Sequence, residues 1–139
     1  MADMNDWNRQ TIEAFRANKG KVGGIWEGSP LLLLTTTGAK SGQQRTNPMM
    51  YLADSNRLLV FASKRGAPTH PDWYHNLVAH PEVTVEVGTE TYEATATILN
   101  GEERDRLYAR QVELYPQFGE YQANTDRKIP VIALVHQKG

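Results

Sequence analysis

The chain has 139 residues, enough for one domain with a single hydrophobic core. Its 15 Lys and Arg residues nearly balance 16 Asp and Glu residues, so no overall field would gather nucleic acid or an anionic bilayer. The lack of cysteine excludes disulfides, thiolate metal sites and cysteine nucleophiles, and it favours the cytoplasm as the location.

The N-terminal segment is predicted to form a helix. Trp7, Ile12 and Phe15 recur there at roughly helical spacing, and Gly23 and Gly24 then break the pattern. We therefore expect a helix and a glycine-containing loop within residues 1–24. The segment is acidic where a signal peptide would be basic, and no apolar run in the chain exceeds five residues. We expect neither secretion nor a membrane span.

Six later segments are predicted strands. The first is apolar without alternation, which indicates a strand that is buried on both faces. The second and third segments are joined by turn-forming residues and should form a hairpin, as should the fourth and fifth. In chain order the segments are LLLLTTT (31–37), PMMYLA (48–53), RLLVFAS (57–63), VTVEVG (83–88), TYEATATIL (91–99) and IPVIALV (129–135).

Two helices are predicted between these strands. The first lies within residues 66–81, with Thr69 or His70 as its cap and Pro71 in its first turn. The second lies within residues 101–116 and stops at the proline that ends this range. This order predicts one domain over the whole chain, of the class mixed β with peripheral helices. We expect a small, mainly antiparallel barrel of about six strands.

The stretch TTTGAKSGQQRTNP is the first candidate binding segment. Gly38 and Gly42 allow its backbone to come close to a ligand. Lys40 supplies a point charge, Ser41 a neutral donor and Arg45 a planar fork, which together suit a phosphate or a chain of carboxylates. From this stretch alone, an ordinary solvated turn is the simpler interpretation.

The stretch SKRGAPTHPDWYHN is the second candidate. It contains a hydroxyl, two cations, a tight turn and an aromatic start to a helix. Together these would build a cleft wall with hydrogen-bond donors at one end and a flat apolar surface at the other. Such a wall suits a planar heterocycle with an anionic tail. In the alternative interpretation, Trp73, Leu77 and Val78 pack the helix on the barrel while Lys64 and Arg65 are solvated.

Self-contained catalysis has little support in the sequence. His70, His75 and His80 recur every five residues, which turns successive helical side chains by about 140°, so we expect no metal site. The sequence contains no Gly-x-Ser-x-Gly elbow, Walker loop or dinucleotide fingerprint. An enzyme with this sequence would rely on a bound cofactor.

Four segments carry a family resemblance through nearly the whole chain. They are NRQTIEAFRANKGKVGG, LLLLTTTGAKSGQQRTNPMMYL, FASKRGAPTHPDWYHNLVAHPEV and LYPQFGEYQANTDRKIPVIAL. The content and the order of these segments resemble those of the deazaflavin-dependent nitroreductase family of actinobacteria. Members of this family bind coenzyme F420 in a split β-barrel. The resemblance implies an oxidoreductase of the quinone reductase or nitroreductase type that uses this 8-hydroxy-5-deazaflavin.

The same resemblance implies the positions of the site residues. Lys40, Ser41 and Arg45 would hold the phosphate and oligoglutamate tail of the coenzyme. Some relatives have tyrosine where this chain has Met50 and Phe118, so two hydroxyls are missing here. The implied cofactor-binding residues are Ala39, Lys40, Ser41, Arg45, Thr46, Asn47, Pro48, Met49, Met50, Phe61, Ala62, Ser63, Lys64, Asp72, Trp73, Tyr74, His75, Asn76 and Phe118.

The implied reaction is a hydride transfer. A deazaflavin has carbon where a flavin has a redox-active nitrogen, so it passes a hydride rather than single electrons. The acceptor would be a quinone, an activated enone or a nitroaromatic, stacked on the reduced ring. Ser63, Tyr115 and Tyr121 are candidate proton donors or substrate orienters, and the sequence does not choose among them.

Several alternatives stay open at this stage. A split barrel could instead bind FMN as an oxidoreductase, or store or carry coenzyme F420 without catalysis. The N-terminal helix could lie on the inner face of the cell membrane near a lipid quinone, with Ile12 and Phe15 on one side and Arg9 and Arg16 around the other. We favour packing of this helix on its own domain, since its apolar stripe is short. The chain is expected to be a monomer or a homodimer.

Overall fold

The computed structural model describes residues 4–18, 30–54 and 57–137, which contain seven strands and four α-helices. The helices are α1 (Met4–Ala17), α2 (Asp72–Ala79), α3 (Gly101–Leu114) and α4 (Gln117–Ala123). The strands are β1 (Leu31–Thr37), β2 (Gln44–Met50), β3 (Leu52–Asp54), β4 (Arg57–Phe61), β5 (Glu82–Val87), β6 (Glu90–Leu99) and β7 (Val131–His136).

All seven strands form one antiparallel sheet in the order β2-β1-β5-β6-β7-β4-β3. Strands β2 and β3 lie at opposite edges of this order, yet only Tyr51 separates them along the chain. The sheet must therefore curl until its two edges approach each other. This curl makes the sheet a split barrel, as the sequence predicts.

Successive side chains along the strands point to opposite faces of the sheet, and both faces are buried. In β1, Leu32 and Leu34 join one hydrophobic cluster while Leu31 and Leu33 join another, so this strand is buried on both sides. Strands β4 and β7 alternate in the same way. Leu77 of α2 belongs to the cluster on the first face, whereas α3 and α4 contribute to the cluster on the opposite face of β4 and β7.

The N-terminal helix α1 packs on the barrel. Phe15 is buried to 2% exposure in a cluster with Leu31 and Leu33, and Ile12 packs against the same cluster. Within the described residues, no helix combines the length and the apolar character that crossing a membrane requires. The glycine-containing loop predicted up to residue 24 lies outside the described residues, as do residues 55 and 56 of the predicted β3–β4 turn.

Four details differ from the sequence predictions. A helix, α4 (Gln117–Ala123), follows α3 where no helix is predicted. The segment PMMYLA is not one strand, because the chain leaves the sheet edge at Tyr51 and passes from β2 to β3. This division raises the strand count from about six to seven, and β2 also begins earlier than predicted, at Gln44. Pro71, and not Thr69 or His70, is the N-cap of α2, and no side chain caps this helix.

Candidate coenzyme site

One long open cleft of about 1740 Å³ runs across the barrel. Its walls come from α1, the β1–β2 turn, β2, the end of β4, the loop between β4 and α2, the start of α2, and α4. We call residues 62–71 the β4–α2 loop. Lys40, Ser41 and Arg45 form what we call the cationic end of the cleft, and Phe61, Phe118 and Tyr121 form its aromatic end.

The turn at the cationic end is held by its own backbone. The amide of Gly38 donates to the carbonyl of Gln43 (2.7 Å), and the amide of Gly42 donates to the carbonyl of Gly38 (3.0 Å). Gly42 has φ of +73°, a conformation that favours glycine. Ser41 Oγ accepts from the amide of Gln43 (3.1 Å), which leaves its hydroxyl proton available to a ligand. Lys40, Ser41 and Arg45 are all exposed.

Asn76 of α2 ties this turn to the rest of the cleft. Its Oδ1 accepts from the amide of Ala39 (3.0 Å), and its Nδ2 donates to Thr36 Oγ1 (3.2 Å). Both ends of the carboxamide are therefore engaged within the protein. The sequence predicts Asn76 as a coenzyme contact; the structure places it on the cleft wall, where it positions the turn that carries Lys40.

The aromatic end is part of the hydrophobic core. The Phe118 ring lies edge-on to Phe61, with centroids 5.7 Å apart, and to Tyr121, with centroids 5.2 Å apart. Tyr108 Oη donates to the carbonyl of Phe118 (2.6 Å), which fixes the start of α4. Burial raises the pKa of Tyr108 to about 12, so its hydroxyl keeps its proton at neutral pH.

The β4–α2 loop has a constrained backbone. Lys64 adopts φ of +46°, which is uncommon for a residue with a side chain, and Lys64 Nζ donates to Thr69 Oγ1 (3.2 Å). Gly66 adopts φ of +82°, and a Cβ at this position would lie 2.6 Å from the carbonyl oxygen of Tyr121. The loop can therefore approach α4 closely only because residue 66 is glycine.

All but three of the predicted site residues line the cleft. Ala62 is fully buried in the core, Tyr74 packs on the core and on the His70 ring, and Tyr115 packs against the cluster beneath α3 and α4. The predicted residues that line the cleft are Ala39, Lys40, Ser41, Arg45, Thr46, Asn47, Pro48, Met49, Met50, Phe61, Ser63, Lys64, Asp72, Trp73, His75, Asn76, Phe118 and Tyr121.

The sequence predictions missed the contribution of α1. Arg9, Ile12 and Arg16 line the cleft together, because spacings of three and four residues place them on one helical face. Ile12 packs against the Phe15 cluster, as its predicted pairing with Phe15 requires, but it also lines the cleft beside Arg9 and Arg16, which were predicted to lie on the other side of the helix. Arg16 forms a bidentate pair with Glu86 of β5, at 2.9 and 2.8 Å, which raises the pKa of Arg16.

Four further lining residues were not predicted, namely Gly38, Gln44, Pro71 and Gln117. Each of them is the neighbour of a predicted residue in sequence, so extending each motif by one residue would have found all four. In the part of the chain that the structure describes, no group of three or more His, Asp or Glu side chains could hold a metal ion.

Comparison with known proteins decides the family. Residues 7–136 match the F420H(2)-dependent quinone reductases. The chain belongs to this family. The F420H(2)-dependent quinone reductase Rv1261c of Mycobacterium tuberculosis is 38% identical over 129 residues, which cover 88% of this chain and 85% of the relative. The family assignment thus extends over both ends of the cleft.

Solved structures support the same assignment. The F420-H2 dependent reductase FDR-A is 45% identical with a TM-score of 0.69, over 76% of this chain and 93% of that one. A structure described as a domain-swapped dimer is 40% identical with a TM-score of 0.71, over 95% and 99% of the two chains. The heme storage protein HutZ of Vibrio cholerae, at 16% identity and a TM-score of 0.61, shares the fold alone.

Proposed function

We propose that this protein oxidises reduced coenzyme F420 and transfers a hydride to a quinone. The observation that carries the proposal is a single cleft with exposed cations at one end and a core-packed aromatic surface at the other. The family match and the relatives named as F420H(2)-dependent reductases support the same reaction.

The residues of the cleft fit this coenzyme. A deazaflavin with a ribityl chain, a phosphate and a glutamate tail is planar and apolar at one end and anionic at the other, and the cleft has the same gradient. Its volume of about 1740 Å³ exceeds the roughly 300 to 1,000 Å³ of an ordinary small-molecule pocket. The cleft therefore has room for both a coenzyme and an acceptor.

Each end of the cleft contributes differently to the reaction. Lys40 and Arg45 would bind the anionic tail by charge-assisted hydrogen bonds, and Ser41 would donate a neutral one. Bound reduced F420 supplies the hydride. Phe118 and Tyr121 would orient the acceptor and exclude water, because acceptor and ring must stack for transfer. Ser63 and Tyr121 line the cleft and could donate the proton, whereas Tyr115 packs away from it.

Turnover with purified components tests the proposal. The protein is mixed with reduced F420 and menadione, and the return of the oxidised coenzyme is followed by absorbance. We expect turnover that depends on both protein and quinone. Tight binding of F420 without turnover would instead identify a storage or carrier protein, and an FMN spectrum after incubation with FMN would identify a flavoprotein. A nitroaromatic and an enone, assayed in parallel, define the acceptor range.

Location and assembly are part of the proposal. We place the enzyme in the cytoplasm with α1 on its own barrel, since Phe15 is buried against Leu31 and Leu33 and is not available to a bilayer. Liposome flotation of the purified protein would contradict this placement. A homodimer is favoured by the 40% identical structure described as a domain-swapped dimer. Light scattering after size exclusion measures the assembly directly.

A further inference from the structure

We propose that Arg127, which is not among the residues that line the cleft, is the positioning residue that locks two of its walls together. These walls are the β4–α2 loop, which carries Ser63 and Lys64, and helix α4, which carries Phe118 and Tyr121. The inference rests on the proposed function, because it concerns the geometry in which coenzyme and acceptor would meet.

The guanidinium group of Arg127 contacts the β4–α2 loop at four points. Its Nη1 donates to the carbonyl of Ala62 (3.0 Å), its Nη2 to the carbonyl of Ser63 (2.7 Å), and its Nε to the carbonyl of Ala67 (2.8 Å). Its Nη1 also lies 2.9 Å from Nδ1 of His70. Because arginine has no acceptor, Nδ1 of His70 must be the unprotonated nitrogen in this contact.

Such a set of contacts requires a planar fork. Carbonyls from three residues converge on one guanidinium group, and each of these partly buried acceptors would lose a hydrogen bond without it, although the Ser63 carbonyl also accepts from the amide of Gly66 (2.8 Å). The amino group of a lysine has three donors on one nitrogen and could not reach all four acceptors in this arrangement. All four acceptors are neutral, so backbone dipoles and an imidazole nitrogen, rather than a carboxylate, compensate the charge of Arg127. Burial lowers the pKa of Arg127.

The backbone of Arg127 is bound to the other wall. Gln122 of α4 donates from Nε2 to the carbonyl of Arg127 (2.7 Å). Oε1 of the same carboxamide accepts from Arg104 Nη2 (2.8 Å) and from the amide of Ile129 (3.0 Å). Through this amide, the position of Arg127 is fixed relative to α4 and α3. The side chain of Arg127 holds one wall and its main chain is held by the other.

A second contact between the two walls is independent of Arg127. Gly66 of the loop approaches α4 so closely that a Cβ would lie 2.6 Å from the carbonyl oxygen and 3.0 Å from the Cα of Tyr121. The walls are thus in direct van der Waals contact beside the aromatic end. With Arg127 in place, a displacement of the loop displaces Ser63, Lys64 and Tyr121 together.

Two predictions separate positioning from a general structural role. Loss of the fork should let Ser63 and Lys64 shift, which weakens coenzyme binding, and should let Tyr121 shift, which raises the KM for the acceptor. A misplacement of about 1 Å can cost about 100-fold in rate. We therefore expect effects of about 10- to 100-fold on the coenzyme Kd and the acceptor KM, with the rest of the barrel unchanged.

The experiment compares Arg127→Gln and Arg127→Lys with the control Lys128→Gln. Lys128 is adjacent, its side chain is 61% exposed, and its partner Asp105 is on the surface, so this control removes the same charge from the same segment. Coenzyme Kd is measured by fluorescence titration, acceptor KM and kcat by steady-state kinetics, and amide hydrogen exchange in residues 62–71 and 83–99 by mass spectrometry.

We expect faster exchange in residues 62–71 but not in residues 83–99, a raised Kd and a raised KM for both Arg127 variants, and parental values for Lys128→Gln. Parental Kd and KM in Arg127→Gln would overturn the inference. So would a loss of binding accompanied by faster exchange throughout the barrel, since that pattern means general destabilisation. A parent protein that fails to bind F420 would instead refute the proposed function.

Chemical rescue provides a test that does not depend on the stability of one variant. In Arg127→Ala, the three carbonyls and His70 would leave a site shaped for a guanidinium ion. Guanidinium at sub-denaturing millimolar concentration should partly restore coenzyme affinity, whereas the same concentration of methylammonium should not. Equal effects of the two cations, or none from either, would mean that the planar fork is not what positions the loop.

Discussion

At the cationic end of the cleft, Lys40 and Ser41 lie on an exposed turn that is held by a few backbone hydrogen bonds and by Asn76, and Arg45 is exposed at the start of β2. At the aromatic end, Phe118 is buried at 6% exposure and contacts rings from β4 and from its own helix. The cleft residues at the first end can thus change with little effect on folding, whereas those at the second end belong to the core.

The largest expected effect is on folding, at the aromatic end. Phe118→Ala removes a buried ring and its two edge-on contacts, so it should lower the free energy of unfolding by about 3 to 5 kcal/mol. Urea denaturation of the variant measures this loss. Phe118→Leu is the matched control, because it keeps most of the volume and should lose much less. A loss below about 1 kcal/mol in Phe118→Ala would mean that the aromatic end is not part of the core.

A second effect, on coenzyme binding, is expected at the cationic end. Lys40→Ala combined with Arg45→Ala removes two charge-assisted contacts and should weaken F420 binding by about 2 to 4 kcal/mol. The free energy of unfolding should change by less than about 0.5 kcal/mol. Fluorescence titration and urea denaturation measure the two quantities.

The control for this double variant is Arg106→Ala with Arg110→Ala, two exposed positions on α3 that do not line the cleft. This control removes the same net charge from the protein. It therefore distinguishes the loss of local contacts with the coenzyme from a weaker overall electrostatic attraction. Equal losses of affinity in the two double variants would show that the turn makes no specific contact. A large loss of stability in the Lys40→Ala, Arg45→Ala variant would contradict the view that the cationic end, unlike the aromatic end, lies outside the core.

A smaller effect, on acceptor binding and turnover, should differ between two tyrosines near the aromatic end. Tyr121 lines the cleft and Tyr115 does not, although both pack against the same cluster. Tyr121→Ala should weaken acceptor binding by about 1 to 3 kcal/mol through lost stacking area. Tyr121→Phe should keep coenzyme affinity but alter turnover, while Tyr115→Phe should change neither. Identical kinetics for the two Phe variants would contradict the placement of the acceptor beside Tyr121.

The sequence predicts much of this fold because its signals are local. The run of four leucines, the alternation in residues 83–99 and the prolines after α2 and α3 each act within about ten residues. The break at Tyr51 is different. Apolar residues continue across it, and the chain changes edges there only because the whole sheet curls, which no short stretch encodes.

The same distinction applies to the site. Motif residues of the β1–β2 turn and the start of α2 are contiguous in sequence, and residues of both segments line the cleft. Arg16 and Arg127 contact residues that lie 57 to 70 positions away in sequence, on Glu86 and on the β4–α2 loop. No local sequence pattern distinguishes an arginine that makes such long-range contacts from one that is solvated. The spacing of Arg9, Ile12 and Arg16 was visible, but only packing shows that this face meets the cleft.

The smallest expected effect is a pH dependence of stability at His70 in the β4–α2 loop. Burial, followed by the charges of Arg127 and His75, lowers the pKa of His70, whose ring also stacks near Tyr74. The folded protein therefore binds fewer protons at this residue than the unfolded chain does. The resulting stability is complete above the ordinary histidine pKa of about 6.5 and is lost as the pH falls through the lowered pKa of the folded protein.

His70→Gln isolates this contribution, because a carboxamide oxygen can accept from Arg127 but does not titrate. Unfolding free energies of the parent and the variant, measured from pH 7.5 to pH 5, should diverge: the parent should lose more stability on acidification. The other histidines are the same in both proteins, so the difference between the two curves reports His70 alone. Parallel curves would mean that His70 has the same pKa in the folded and unfolded states, and that its contact with Arg127 does not depend on a neutral ring.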